Sequence, residues 1–280
     1  MSETSVTWQG ATKLVNMRKA LTFGAWFVAE YRLRNMSKWL GAIFAFGLGN
    51  PILFLLSVGI GIGSLVDKST GGHALGGVSY LQFVAPALLA SAAIQGVMDE
   101  VTFPVFAGFM WEKFFFAIGA TAVSAKQIAN GVFLAACVRG VLQVFMYGIV
   151  LILFGAIPLA SFFPLVFSSL LAGFGFGAVM LAVMARIKKD DGIFAIISRF
   201  IIAPMFLFSG TFYPLSGMPI YLQWVGWISP LWHATDVGRV LTIGQPIEPW
   251  LMVVHFAYFV AMLIGGLALA YPPFKARLAE

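Results

Sequence analysis

Six long apolar stretches divide this chain: roughly Trp39–Leu65, Tyr80–Glu100, Gly131–Ala156, Phe162–Arg186, Ile193–Phe212 and Trp250–Tyr271. Each is long enough for a helix rising 1.5 Å per residue to cross the roughly 30 Å hydrocarbon core of a bilayer. Irregular backbone cannot face lipid, so each is expected to be helical there. No polar stretch between them is long enough to fold alone. Only 10% of the residues are charged, against about a quarter in a soluble domain. The expectation is an all-α polytopic membrane protein, one transmembrane domain over residues 1–280 with six spans.

The basic residues orient it. Lys13, Arg18, Lys19, Arg32, Arg34 and Lys38 precede the first span; Lys113 and Lys126 follow the second; Arg186, Lys188, Lys189 and Arg199 follow the fourth; Lys275 and Arg277 end the chain. Cytoplasmic loops carry the excess of Lys and Arg, so both termini are expected in the cytoplasm and the protein in the cytoplasmic membrane. The surplus of 17 basic over 11 acidic residues is read this way, with no nucleic-acid partner. Residues 1–20 lack the apolar core of a cleaved leader. The single Cys137 lies in an apolar run, so no disulfide framework is expected.

Residues 20–38 place Phe23, Trp26, Phe27 and Tyr31 on one helix face, with Glu30, Arg32 and Arg34 displaced from it. This predicts an interfacial helix on the cytoplasmic leaflet, its basic residues toward anionic lipid; an early extension of span one is the alternative. Gly59/Gly63 and Gly173/Gly177 are spaced for close helix approach, within the chain or between subunits.

Residues 214–241 are a different case. Pro214, Pro219 and Pro230 punctuate them, and each proline removes a donor and disfavours helix in the residue before it. Two short helices fit, near Pro219–Ile228 and Leu231–Leu241, with the prolines in first turns and Ser229 as a cap. Each is too short to span and too apolar for water. The reading is a re-entrant pair under the outer headgroups, between spans five and six. Phe212, Tyr213, Tyr221, Trp224, Trp227 and Trp232 suit that depth. His233, Asp236 and Arg239 follow at helical spacing. They form either a network fixing the pair or contacts to a substrate; as a metal site they are poor.

This segment resembles the signature region of type-2 ABC-transporter permeases. The matching residues are Ser209-Gly210, Tyr213-Pro214, Pro219, Leu222, Pro230-Leu231, His233, Asp236 (often Glu in the family) and Arg239. It is most similar to the branch of lipo-oligosaccharide (nodulation-factor) and daunorubicin-type drug exporters. A second match lies in residues 111–131: Trp111-Glu112, Ala120-Thr121, Ser124, Ile128 and Gly131, with Ala122 for the usual Pro and Gln127 for the usual Glu. The resemblance implies a coupling helix here, with Trp111, Glu112, Lys113, Gly119, Thr121 and Ser124 at the contact with an ATPase; an ordinary short loop is the alternative. No G-x-x-x-x-G-K-[ST] loop occurs in these 280 residues. The resemblance therefore implies that a separate P-loop ATPase, in two copies, binds the ATP and Mg. It further implies a second permease copy, in a homodimer, and no cofactor or catalytic residue in this chain.

The expected substrate is an amphiphile such as a lipid-linked glycan, polysaccharide or glycolipid, with a hydrophobic drug as the alternative. Charges within the spans are sparse, so aromatic and aliphatic walls are expected, with the aromatics of residues 212–232 and His233, Asp236 and Arg239 as outer gate. Asp99, Glu100 and Arg139 lie at membrane depth, where charges must pair, face the interior or snorkel; Arg139 is expected to pair with Asp99 or Glu100. Two rival classes have less support. Ser209-Gly210 with His255 is similar to a serine-protease dyad in a membrane, but Leu207 stands where that motif has Gly, and no H-E-x-x-H occurs. A channel would need a ring-forming polar filter, and none is visible.

Overall fold

The computed structural model describes residues 17–70 and 77–279. The reading of the N-terminal stretch as lacking a leader, with Lys13, falls outside them. No strand occurs among the described residues. The chain folds as α1 (Met17–Ser37), α2 (Leu40–Phe54), a π-helical stretch Leu55–Ile62, α3 (Gly63–Thr70), α4 (Tyr80–Val101), α5 (Phe103–Met110), α6 (Phe114–Gly119), α7 (Ala125–Leu153), α8 (Phe162–Arg186), α9 (Ile193–Ile196), a second π stretch Ile197–Ile202, α10 (Ala203–Phe208), α11 (Ile220–Ile228), α12 (Pro230–Ile243) and α13 (Pro249–Leu278).

Among the described residues, five helical runs are long and apolar enough to cross a membrane: Leu40–Val66, Tyr80–Met110, Ala125–Leu153, Leu159–Arg186 and Pro249–Leu278. The second extends past Glu100, where it was expected to end, with only a local break at Thr102. The fifth apolar stretch differs from expectation. Its helix is Ile193–Phe208, ending at Phe208 rather than Phe212 and rising only about 24 Å. The stop is local: Gly210 has φ +70°, the left-handed cap that ends helices, and Ser209 Oγ bonds Ser229 Oγ at 2.5 Å. The helix thus ends on the junction between α11 and α12.

In lipid no hydrophobic force drives helices together, so close backbone approach does the packing. A methyl at Gly173 would meet the Ala93 carbonyl oxygen at 2.8 Å, and one at Gly177 would meet the Val97 side chain at 2.2 Å. This pair seats α8 on α4 within the chain. Gly59 likewise faces Leu81, and Gly63 faces Tyr80. The core gathers where α4, α7, α8 and α13 meet, around Phe106, Phe109, Phe259 and Phe274.

α1 is separate from span one. A turn at Lys38 and Trp39 divides them. Phe23, Trp26, Phe27 and Tyr31 are exposed along it, as an interfacial helix requires, while Val28, Ala29 and Met36 are buried. Arg32 departs from the expected polar face: it is buried and bonded to Glu100. α1 lies against the start of α7, where Gly131 leaves room for the Ala25 carbonyl.

Candidate functional site

At one end of the bundle, residues 111–131 build a compact turn. Lys113 has φ +53° and caps α6. Trp111 packs on Phe103 and Phe106. Phe115 is buried against Phe109 and Phe274, which ties α6 to the end of α13. Gly119 faces Leu278. Thr121 Oγ1 donates to the Ile118 carbonyl. Ser124 and Gln127 form a reciprocal capping box at the start of α7. Glu112, Lys113, Gly119 and Thr121 remain exposed.

Gln127 does more than cap. Its amide N–H donates to the carbonyls of Leu21 at 2.7 Å and Ala20 at 3.2 Å on α1. A Glu at this position could cap but could not donate. Tyr31 on α1 also packs on Phe114 of α6, ring centroids 5.6 Å apart. The exposed turn is therefore joined on one side to α1 and on the other to α13.

Charges deeper in the same half are paired. Arg139 Nη2 donates to Asp99 Oδ2 at 3.0 Å, the pairing expected from the sequence. Gln95 donates to the other Asp99 oxygen at 2.8 Å. Glu100 is held instead by Arg32, at 2.7 Å. The sequence carried no signal for this second pair, because Arg32 sits on a helix outside the spans.

At the opposite end, α11 and α12 fall within two residues of their expected bounds. Pro230 stands in the first turn of α12 and Ser229 accepts from the Leu231 amide; Pro219 lies one residue before α11, at its cap. The residues assigned to an outer gate divide into two sets. Tyr221, Trp224 and Trp227 are exposed on α11. Tyr213, also exposed, bonds the Leu207 carbonyl, and Phe212 packs edge-on against Phe206. Trp232 belongs with the second set, packed against His233 and His255.

That second set is buried structure rather than accessible surface. Arg239 is 3% exposed. It donates to the carbonyls of Gly210 (2.6 Å) and Phe83 (3.2 Å), and its guanidinium lies 3.6 Å from the Phe83 ring centroid. His233 and Asp236 are bridged by His255 of α13: His233 Nδ1 to His255 Nδ1 is 2.6 Å, and His255 Nε2 to Asp236 Oδ2 is 3.2 Å. His233 Nε2 also meets the Trp227 carbonyl at 3.0 Å. Across the Nδ1 contact one ring donates and the other accepts. Of the three residues expected to form a network, His233 and Asp236 meet only through His255, and Arg239 bonds main-chain carbonyls instead. His255 is thereby occupied, and Ser209 is bonded to Ser229, which leaves no serine–histidine dyad.

Comparison with known proteins gives a consistent result. The family described as ABC-2 type transporter matches residues 26–243, from α1 to the end of α12. Nodulation protein J of Rhizobium meliloti (strain 1021) is 28% identical over 232 residues, covering 81% of this chain and 86% of that protein. Nodulation protein J of Rhizobium leguminosarum bv. viciae is 27% identical, covering 76% and 81%. That of Bradyrhizobium diazoefficiens is 26% identical, covering 88% and 89%.

Proposed function

The chain belongs to the ABC-2 type transporter family, and from that premise we propose that it is the permease subunit of an ATP-driven exporter of a lipid-linked oligosaccharide or glycolipid. A separate P-loop ATPase, in two copies, binds ATP and Mg and docks on the exposed turn at α6. A second copy of this chain completes the transport path, in the cytoplasmic membrane with both termini inside.

The observation that carries the reading is the double attachment of α6. A push on an isolated loop dissipates. A push on α6 reaches α13 through Phe115 and Phe274, and reaches α1 through Phe114 and Tyr31. ATP-driven closure of the ATPase would then move the two permeases apart along their shared face. Relatives named for nodulation favour the lipo-oligosaccharide side of the resemblance over the drug side.

The test uses the chain with and without its ATPase. Alone it should hydrolyse no ATP; with the partner, hydrolysis should appear and respond to an amphiphilic glycan. Glu112→Arg, at an exposed position, should insert normally yet abolish that response. An unchanged response in this variant rules out docking at α6.

A further inference from the structure

The walls expected from the sequence were aromatic and aliphatic, but α4 and α7 carry polar stripes at four-residue spacing. Ser91, Gln95 and Asp99 line α4; Arg139 and Gln143 line α7; Asn50 stands opposite on α2. Polar groups on a lipid-facing or tightly packed helix face are costly, and these do not all satisfy one another. Asn50 and Gln143 make no side-chain hydrogen bond among the described residues. The Nε atoms of Arg32 and Arg139 are buried without an acceptor.

These side chains line three adjoining cavities. One, about 260 Å³, lies between α2, α4, α7 and α10 and includes Asn50, Ser91, Gln95 and Gln143. The next, about 230 Å³, shares Asn50, Gln95 and Gln143 and adds Asp99 and Arg139. The third, about 330 Å³, shares Arg139 and reaches Arg32, Glu100 and Glu112 beside the α6 turn. Shared lining residues make them one cleft, from the α6 end into the middle of the bundle. Its inner end is apolar, where Phe54 meets Phe206 edge to face. Each of the two helices bearing these rings has a π-helical stretch nearby, Leu55–Ile62 and Ile197–Ile202, a geometry frequent at functional sites.

Charge decides what such a cleft can hold. Its mouth has two arginines against Asp99, Glu100 and Glu112. A phosphate head would meet a net negative wall, and both arginines are already paired. An organic cation would find Asp99, the carboxylate beside the amides, already paired with Arg139. A neutral head rich in both donors and acceptors suits the whole length, because a carboxamide both donates and accepts. Sugar hydroxyls and N-acyl groups have that chemistry.

Resting on the exporter reading above, we infer that this cleft binds the polar head of the transported amphiphile as a neutral glycan, with Asn50, Gln95 and Gln143 as its hydrogen-bonding residues. The tail would leave toward lipid between α2 and α10.

The probe is dodecyl N-acetylglucosaminide carrying a diazirine on its acyl group, used on the permease with its ATPase in lipid nanodiscs. Crosslinks are expected in α2, α4 or α7, competed by excess dodecyl maltoside and not by dodecyl phosphate. Asn50→Leu with Gln143→Leu should cut labelling about tenfold, the equivalent of two hydrogen bonds of ordinary net strength. The melting temperature should hold, since neither amide has a partner to lose. Should the double variant fail to insert, Gln143→Met alone decides, with a severalfold loss expected. Labelling indifferent to these substitutions, or competed equally by dodecyl phosphate, overturns the inference. ATP hydrolysis in the same discs separates the two readings. Stimulation by other amphiphiles without glycoside labelling sinks the site and spares the exporter. Specific labelling with no stimulation by any amphiphile spares the site and sinks the exporter.

Discussion

The side-chain amide of Gln127 donates a 2.7 Å hydrogen bond to the main-chain carbonyl of Leu21, fastening the start of α7 to the first helix. The same side chain accepts from the Ser124 amide at 2.9 Å. One residue thus caps α7 and holds α1, so a displacement of the α6 turn is felt at both.

Gln127→Glu separates those roles. A carboxylate still accepts from Ser124 but cannot donate to Leu21 or Ala20. The attachment of α1 should weaken by about 1–2 kcal/mol, seen as faster hydrogen exchange over Met17–Ser37 with little change in α8 or α13. Equal exchange across α1 in both proteins would show that the hydrogen bond holds nothing.

Arg239 tests whether the α11–α12 pair is fixed from within. Arg239→Ala removes the donors to Gly210 and Phe83 and the contact with the Phe83 ring. Leaving buried carbonyls unbonded should cost about 2–4 kcal/mol and lower the thermal midpoint in detergent. Arg239→Lys keeps the charge but not the planar fork, so it should recover only part. An alanine variant that melts with the parent protein removes Arg239 from the framework.

Orientation is open to direct labelling. In a Cys137→Ser background, Gln245→Cys lies just past α12 and should react with an impermeant maleimide added outside cells. Lys189→Cys, between α8 and α9, should react only after permeabilisation. The reverse pattern turns the protein over and places α6 away from any cytoplasmic ATPase.

Local chemistry explains what was legible in the sequence. Pro219, Pro230 and Ser229 fixed α11 and α12 to within two residues, because proline geometry and capping act over one turn. The Arg139–Asp99 pair was also legible, since a charge at membrane depth must find a partner. Tertiary placement hid the rest. His255 bridges His233 and Asp236 only because α13 crosses α12 at that height. Arg32 reaches Glu100 only because α1 folds back against the bundle. The fifth helix was drawn too long because Ser209, Gly210 and Thr211 scarcely interrupt the hydropathy, whereas the backbone of Gly210 ends the helix. The polar stripes were written at i, i+4 in spans two and three, but they were diluted by apolar neighbours. They became visible only when α2 set Asn50 beside them.

The exposed rings of α11 bear on how an amphiphile leaves. α11 has nine residues and α12 fourteen, rises of about 14 and 21 Å, so neither crosses the roughly 30 Å hydrocarbon core. Trp224 and Trp227 are 55% and 48% exposed, so truncating them empties no core. The Trp227 carbonyl that meets His233 belongs to the backbone and survives substitution. Trp224→Ala and Trp227→Ala should therefore reduce export severalfold at nearly the same yield of folded protein. Asp236→Ala should do the opposite, lowering stability first, because it strips the acceptor from both His255 and Gln245. Transport assayed in vesicles, alongside thermal unfolding of each variant, tells the two effects apart. If both tryptophan variants export at the parent rate, α11 is an anchor, and the gate belongs where α2 and α10 touch, at Phe54 and Phe206.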